Sequence, residues 1–345
     1  MPWWDAQNHA DRRPLLALRG RIKTGLRAWF EGQDFTEVEC GALAISPGNE
    51  AHLHAFQTGR IRADGSAQCL YLHTSPEFAA KKLLAAGETR IFEFARVFRN
   101  RERTALHAPE FTMLEWYRVN APVAQAMDDT VALVQGAARI AGATALRYRD
   151  RACDPFAPAE RLSVAEAFRI HAGIEMIDML DAKGVGDRDI FATRAKRAGF
   201  SVAEDDGWSD IFSKVLAAAI EPRLGLGRLT LLTDYPRQEA ALARPKPSDP
   251  RLSERFELYA CGVELANGFG ELTDPEEQRA RFMAEMDEKE RVHGERYPLD
   301  EDFLAALAAM PPASGVALGF DRLVMLVSGA PRIDDVLWTP LPPDP

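Results

Sequence analysis

The sequence predicts an α+β fold in which antiparallel hairpins are flanked by helices. Three observations carry that expectation. The runs 90–99 and 110–119 are rich in aromatic and β-branched residues and are joined by a polar segment, as in a long-looped hairpin. A second pair of alternating runs, within 254–272, meets at Cys261-Gly262, a dipeptide able to turn a hairpin. Apolar residues at three- and four-residue spacing over 12–35, and again after Gly319, mark amphipathic helices.

In chain order, Leu15, Leu16, Leu18, Ile22, Leu26, Trp29 and Phe30 form the apolar stripe of a first helix that should end near Gly32. Residues 35–40 then alternate in steps of two, and residues 66–74 read as another extended piece. Thr74-Ser75-Pro76-Glu77 opens a helix running to Gly87, because a hydroxyl cap, a first-turn proline and an early acid stand in sequence. Residues 121–245 are alanine-rich and mostly helical in pattern. They are interrupted near 154–158 and closed by the proline-dense stretch 244–250.

Composition narrows the function classes. The 345 residues are 46% hydrophobic and 27% charged, ordinary for a globular chain large enough for a substantial core. A net charge of −10 leaves no overall basic field for gripping a phosphate backbone. Cys40, Cys69, Cys153 and Cys261 make no C-x-x-C pair, which favours reduced thiols over zinc or disulfides. No signal-peptide core and no run of about 18 apolar residues is present, so a cytoplasmic chain without a membrane span is expected.

Three segments could carry chemistry. Period-two alternation places Glu93, Val97 and Arg99 on one face of the first strand, and Phe111, Met113, Glu115 and Tyr117 on one face of the second. Arg99, Arg101 and Arg103 either serve a site there or only solvate the loop. Glu264 and Glu271 stand seven residues apart, on opposite faces of a straight strand. A bulge at Asn267-Gly268 would bring both carboxylates to one side, where phosphate oxygens would complete a Mg²⁺ site; a solvent-facing acidic strand is the plain alternative. In 314–329 a short apolar strand meets Gly319 and a helix follows. Arg322 falls in its first turn, where the helix dipole disfavours a cation unless something compensates. His107 reads as a loop histidine, and His73 shows no pairing pattern.

Taken together and in order, these segments resemble signature motifs two and three of class II aminoacyl-tRNA synthetases, nearest the lysyl branch. The stretches SPEF-AAKKLL, FRN to HAPEFTMLEWYR, and GVELANGFGELTDPEEQRARF resemble more closely the elongation factor P lysine ligases, a truncated branch of that family. The similarity runs from about Arg12 to Trp338. It implies a single class II synthetase-like catalytic domain over 1–345, built on a six- or seven-stranded antiparallel sheet, with a mainly helical insertion at about 121–245. Only about twenty residues precede the core of the first helix, too few for the N-terminal OB anticodon-binding barrel of lysyl-tRNA synthetases.

The resemblance also implies an activity: ATP-dependent adenylation of lysine or (R)-β-lysine and transfer to a lysine side chain of elongation factor P. It implies a homodimer, ATP and Mg²⁺ as cofactors, and no stable tRNA binding. Residue by residue, it assigns Ser75, Pro76, Glu77, Glu115, Tyr117, Asn267 and Glu271 to the amino acid. Arg99, Asn100, Arg101, Ala108, Glu264, Leu265, Gly319 and Arg322 fall to ATP, with Arg99 and Arg322 catalytic and Glu264 and Glu271 as Mg²⁺ ligands.

Three departures stand out. Arg101 replaces the family's adenine-contacting glutamate, and Glu102 would face the other way in an extended chain. Ala108 replaces an asparagine, and Gly41 replaces the proline of motif one. These changes motivate a competing expectation, a non-catalytic binding paralogue with an eroded ATP site; a lysyl-tRNA synthetase is a further alternative from the same chemistry.

Overall fold

The computed structural model describes residues 2–342, and every structural statement below concerns those residues. Nine strands form the main sheet: β1 (Thr36–Glu37), β2 (Arg90–Phe98), β3 (Glu110–Val119), β4 (Glu160–Ser163), β5 (Thr230–Pro236), β6 (Pro245–Lys246), β7 (Asp249–Ala260), β8 (Val263–Gly270) and β9 (Ala313–Gly319). The order is β1-β2-β3-β9-β8-β7-β5-β4, with β6 on β7. Pairing is antiparallel except at the two edges, β1 with β2 and β4 with β5. The sheet exceeds the expected six or seven strands because its edge pieces are short. Two-residue strands carry no alternation, and β5 reads TLLTDYP, a nearly continuous buried run.

Nine α-helices complete the fold: α1 (Ala6–Glu31), α2 (Glu77–Ala85), α3 (Val123–Ala141), α4 (Val164–Ala167), α5 (Arg188–Arg197), α6 (Trp208–Val215), α7 (Pro275–His293), α8 (Glu301–Leu307) and α9 (Phe320–Ser328). Helix α1 begins earlier than its apolar stripe, since Asp5 caps it by accepting from the amides of Gln7 and Asn8. One face of the sheet packs against α1, α3 and α9 through Phe30, Phe92, Leu114, Trp116, Val316 and Leu326. Phe30 stacks on Phe92 with ring centroids 4.4 Å apart. The other face carries α2, α7 and α8, where Leu84, Ile91, Phe282, Phe303 and Leu307 pack together. Strand alternation thus leaves the odd-numbered residues 113, 115 and 117 of β3 opposite 95, 93 and 91 of β2.

Segment 121–245 is helical over α3 and α4–α6, as its pattern suggests, and it also supplies β4 and β5 to the sheet. Helices α4–α6 close around a separate cluster that includes Phe168, Phe191, Trp208, Phe212 and Tyr235.

The β7–β8 hairpin turns at Cys261 and Gly262, both with positive φ, as a two-residue turn of the favoured hand requires. Its bulge is not at Asn267-Gly268. The register changes between Leu258↔Ala266 and Tyr259↔Glu264, which leaves Leu265 as the extra residue. Gly268 answers a different need, since a Cβ there would collide with the Phe256 ring.

Candidate active site

Strands β3, β9 and β8 form the floor of a cavity of about 220 Å³. Phe111 and Met113 come from β3, Ala317 and Gly319 from β9, and Glu264, Leu265, Asn267 and Phe269 from β8. The start of α2 contributes Ser75 and Glu77; the β2–β3 loop contributes Arg99, Glu102, Leu106, His107 and Ala108. Arg322 enters from the first turn of α9. Nine of the sequence-selected residues therefore meet at one place: Ser75, Glu77, Arg99, Ala108, Glu264, Leu265, Asn267, Gly319 and Arg322.

Near α2 the chemistry is acidic. The Ser75 hydroxyl donates to Glu115 Oε1 at 2.6 Å and accepts the Glu77 amide at 3.0 Å, so it fixes the helix start and a carboxyl at once. The Tyr117 hydroxyl donates to Glu115 Oε2 at 2.8 Å. Lys81, one turn after Glu77, is fully buried, bonded to Glu77 and 2.6 Å from Glu271 Oε2. Burial opposes the Lys81 charge, yet Glu271 and Glu77 outweigh it and raise the ammonium. Burial, with Glu77 adding to it, pushes the Glu115 carboxyl up to about 8, against the Ser75 and Tyr117 hydrogen bonds. Burial likewise carries Glu271 to about 7, while Lys81 pulls it back. Asn267 Oδ1 is buried without a partner, an acceptor aimed at a donor from outside the chain. Gly315 is glycine because a Cβ there would strike the Tyr117 ring and Glu271.

Glu115, Tyr117 and Glu271 lie behind the cavity wall, each nearly inaccessible, and Pro76 lines a smaller neighbouring cavity. Glu271 does not join Glu264 in one acidic cluster. Lys81 and Glu77 surround Glu271, whereas Glu257, Arg322 and Arg255 surround Glu264. The expected Glu264–Glu271 metal pair is therefore corrected. Glu264 has Glu257 as its carboxylate neighbour instead, and this neighbour was missed in the sequence because nothing in the alternating run 254–260 singles it out. Burial and Glu257 push Glu264 up to about 7, against Arg322 and Arg255.

The nucleotide-side residues also sort differently. Arg101 adopts φ +64°, turns away from the cavity and pairs with Glu295. The chain is therefore not extended there, and Glu102 lines the cavity in its stead. Asn100 is outside the lining as well: its amide donates to the His54 carbonyl at 2.7 Å, and its Oδ1 accepts the Arg101 amide. Arg99 donates to the Thr74 carbonyl at 3.4 Å and lies over the Phe111 ring at 5.4 Å.

Arg322 is held from three sides. Its Nε donates to the Leu106 carbonyl at 3.2 Å, Nη1 to the Glu264 carbonyl at 3.1 Å, and Nη2 to His107 Nε2 at 2.6 Å. These acceptors offset the unfavourable dipole at the start of α9. The helix itself is fixed by Asp321, which is fully buried, accepts the Thr112 amide at 2.8 Å and pairs with Arg19 of α1.

A cavity that joins carboxylates and an open amide acceptor to two arginines can hold an ammonium-bearing acid beside a polyphosphate. The tRNA synthetases class II (D, K and N) family profile matches residues 3–342. The chain belongs to that family. It is 38% identical to an elongation factor P–(R)-β-lysine ligase of Vibrio cholerae, over 95% of each chain. With the ligase of that name from Salmonella arizonae it shares 39% identity over 94% of each. A lysine–tRNA ligase of Pelotomaculum thermopropionicum is 35% identical over 95% of this chain and 63% of that longer protein. The class II assignment agrees with the large, mostly antiparallel sheet flanked by helices.

Proposed function

We propose that the chain is an ATP-dependent ligase that adenylates a lysine-type amino acid, (R)-β-lysine, and transfers it to a lysine side chain of elongation factor P. The observation that carries this is the single cavity in which Glu77 and Asn267 share walls with Arg99 and Arg322. Relatives of nearly equal length bearing the ligase name support the protein acceptor. Retention of both arginines supports catalysis over binding alone.

In this reading the Asn267 oxygen and the Glu77 carboxylate meet a substrate ammonium, Glu271 acts from behind them through Lys81, and Glu115, which accepts from both hydroxyls, orients Ser75 and Tyr117. The substrate carboxylate oxygen attacks the α-phosphorus and the bond to pyrophosphate breaks. The already ionised carboxylate needs no general base. Arg99 and Arg322 stabilise negative charge on the phosphoryl oxygens, and fixed orientation supplies much of the rest. In the second step the neutral acceptor amine attacks the acyl carbon, AMP leaves, and a proton is released with the new amide.

Among the described residues no group of three or more His, Cys, Asp or Glu side chains could hold a metal by itself. Glu264 is a carboxylate at the cavity wall beside Arg322. Glu257 lies behind it, accepting from Arg255 and, at 2.6 Å, from the Tyr259 hydroxyl. This oxygen donor set suits Mg²⁺ completed by phosphate oxygens and water, with Glu264 as the protein ligand. Bound there, Mg²⁺ would neutralise phosphate charge.

Homodimerisation, cytoplasmic residence and the absence of stable tRNA binding belong to the same proposal. Exposed Leu43, Ile45 and Ile61, in and beside the small sheet formed by 43–44, 56–61 and 67–72, offer an apolar surface for a second copy. No helix is long and apolar enough to cross a membrane. Amino-acid-dependent ATP–pyrophosphate exchange tests the first step, with (R)-β-lysine expected to exceed L-lysine. Labelled transfer to elongation factor P but not to tRNA tests the second; charging of tRNA alone would overturn the acceptor.

A further inference from the structure

We propose that His107 is a positioning residue that aims Arg322 into the cavity, acting as a neutral imidazole with its proton on Nδ1. The hydrogen-bond inventory decides the tautomer. Arginine has donors only, so the nitrogen 2.6 Å from Arg322 Nη2 must accept, and Nε2 is bare. The proton therefore sits on Nδ1 and is donated to Thr104 Oγ1 at 2.7 Å. Thr104 is itself fixed in a tight turn: its hydroxyl accepts the Leu106 amide at 3.1 Å, and its amide donates to the His107 carbonyl at 3.1 Å.

The turn also presents the Leu106 carbonyl to Arg322 Nε. One four-residue unit, Thr104 to His107, thus supplies two of the three anchors of the guanidinium, and the Glu264 carbonyl supplies the third. Protonated His107 would set a cation against Arg322 and turn an acceptor into a donor, so the arrangement exists only with a neutral ring. Burial, with Arg322 and Arg99 nearby, holds the imidazole down at about 4, in keeping with that geometry. Thr104, Arg99 and Arg322 face the ring, and no carboxylate does so by hydrogen bond. His107 is thus poorly suited to proton transfer near neutral pH and well suited to holding Arg322 still.

The inference rests on the reading of Arg322 as the nucleotide's arginine, so the experiment separates the two. Exchange kinetics with ATP, Mg²⁺ and lysine varied in turn are compared for wild type, Arg322→Ala, His107→Ala, His107→Gln and Thr104→Val, with melting curves confirming folding. His107→Ala is expected to lose about 10- to 100-fold in kcat/KM for ATP, the usual scale for a hydrogen bond to a charged group, with KM for lysine unchanged. Glutamine, whose Oε1 can accept as Nε2 does, should recover most of the loss, and Thr104→Val should fall between. Wild-type KM for ATP should stay level down to about pH 5 and rise only as pH falls through about 4, and His107→Gln should lack that acid limb. Full activity in Arg322→Ala would overturn the nucleotide-site reading and this role with it. An inactive Arg322→Ala beside an unaffected His107→Ala, or equal defects in the alanine and glutamine variants, would overturn the positioning role alone.

Discussion

Replacing Lys81 by methionine removes one buried cation and leaves Glu77 and Glu271 facing each other. Lys81 and Glu271 are each 1% exposed at the side chain and Glu77 14%, so solvent screens the remaining carboxylates only weakly. Breaking a buried pair by deleting one partner costs about 3–5 kcal/mol. Unfolding entropy near 2.1 cal/mol/K per residue gives about 0.7 kcal/mol/K for a chain this long, so Lys81→Met should melt about 4–7 °C lower. The loss should depend on pH. A carboxyl raised in the fold above its unfolded value costs stability above that unfolded value, and the cost fades as pH falls through the raised value towards it. The gap between variant and wild type should therefore be widest at pH 8 and shrink towards pH 5. Differential scanning fluorimetry over that range measures it. Saturating lysine, whose ammonium can replace the lost cation, should stabilise the variant more than the wild type. Equal melting at pH 8, or a gap that does not narrow on acidification, would refute the account of this ion pair.

Further outcomes follow from the same geometry. Arg99→Ala should abolish exchange while leaving the circular dichroism spectrum and melting temperature close to wild type; substantial exchange would remove it from phosphate handling. Arg101→Ala should leave KM for ATP within about twofold, because an exposed pair such as Arg101–Glu295 contributes little, whereas Glu102→Ala should raise it. The reverse pattern would mean that Arg101 swings into the cavity. Glu257→Gln should raise the Mg²⁺ needed for half-maximal exchange, as judged by Mg²⁺ titration at fixed ATP, and an unchanged requirement would separate Glu257 from the metal.

Much of the fold was legible because periodicity reports burial. The stripe from Leu16 to Phe30 marks α1, the two aromatic runs mark β2 and β3, and Gly319 marks the passage into α9. Alternation likewise placed Phe111, Met113, Glu115 and Tyr117 on one face, toward the site. Other features were not legible, some for a local reason and some because the partner is far away in the chain. The left-handed backbone at Arg101 exchanges the facing of residues 101 and 102, and a non-glycine residue gives no warning of it. The bulge at Leu265 has no sequence mark, while the glycine that suggested one at 268 makes room for Phe256. Lys81 was not singled out, because its buried acidic partner Glu271 is distant in the chain. His107 gained its role only from Arg322, more than two hundred residues away.

The knot of Arg19, Thr112 and Asp321 bears on the order in which the molecule can be made. Arg19 belongs to α1 and Asp321 to α9, 302 residues further along the chain. Helix α1 can meet Thr112 of β3 early, but its buried ion pair closes only once α9 is in place. Contacts this distant in sequence are slow to close and form late. A chain short of α9 can have most of its sheet and still lack both Asp321, which pairs with Arg19, and Arg322, which reaches the cavity.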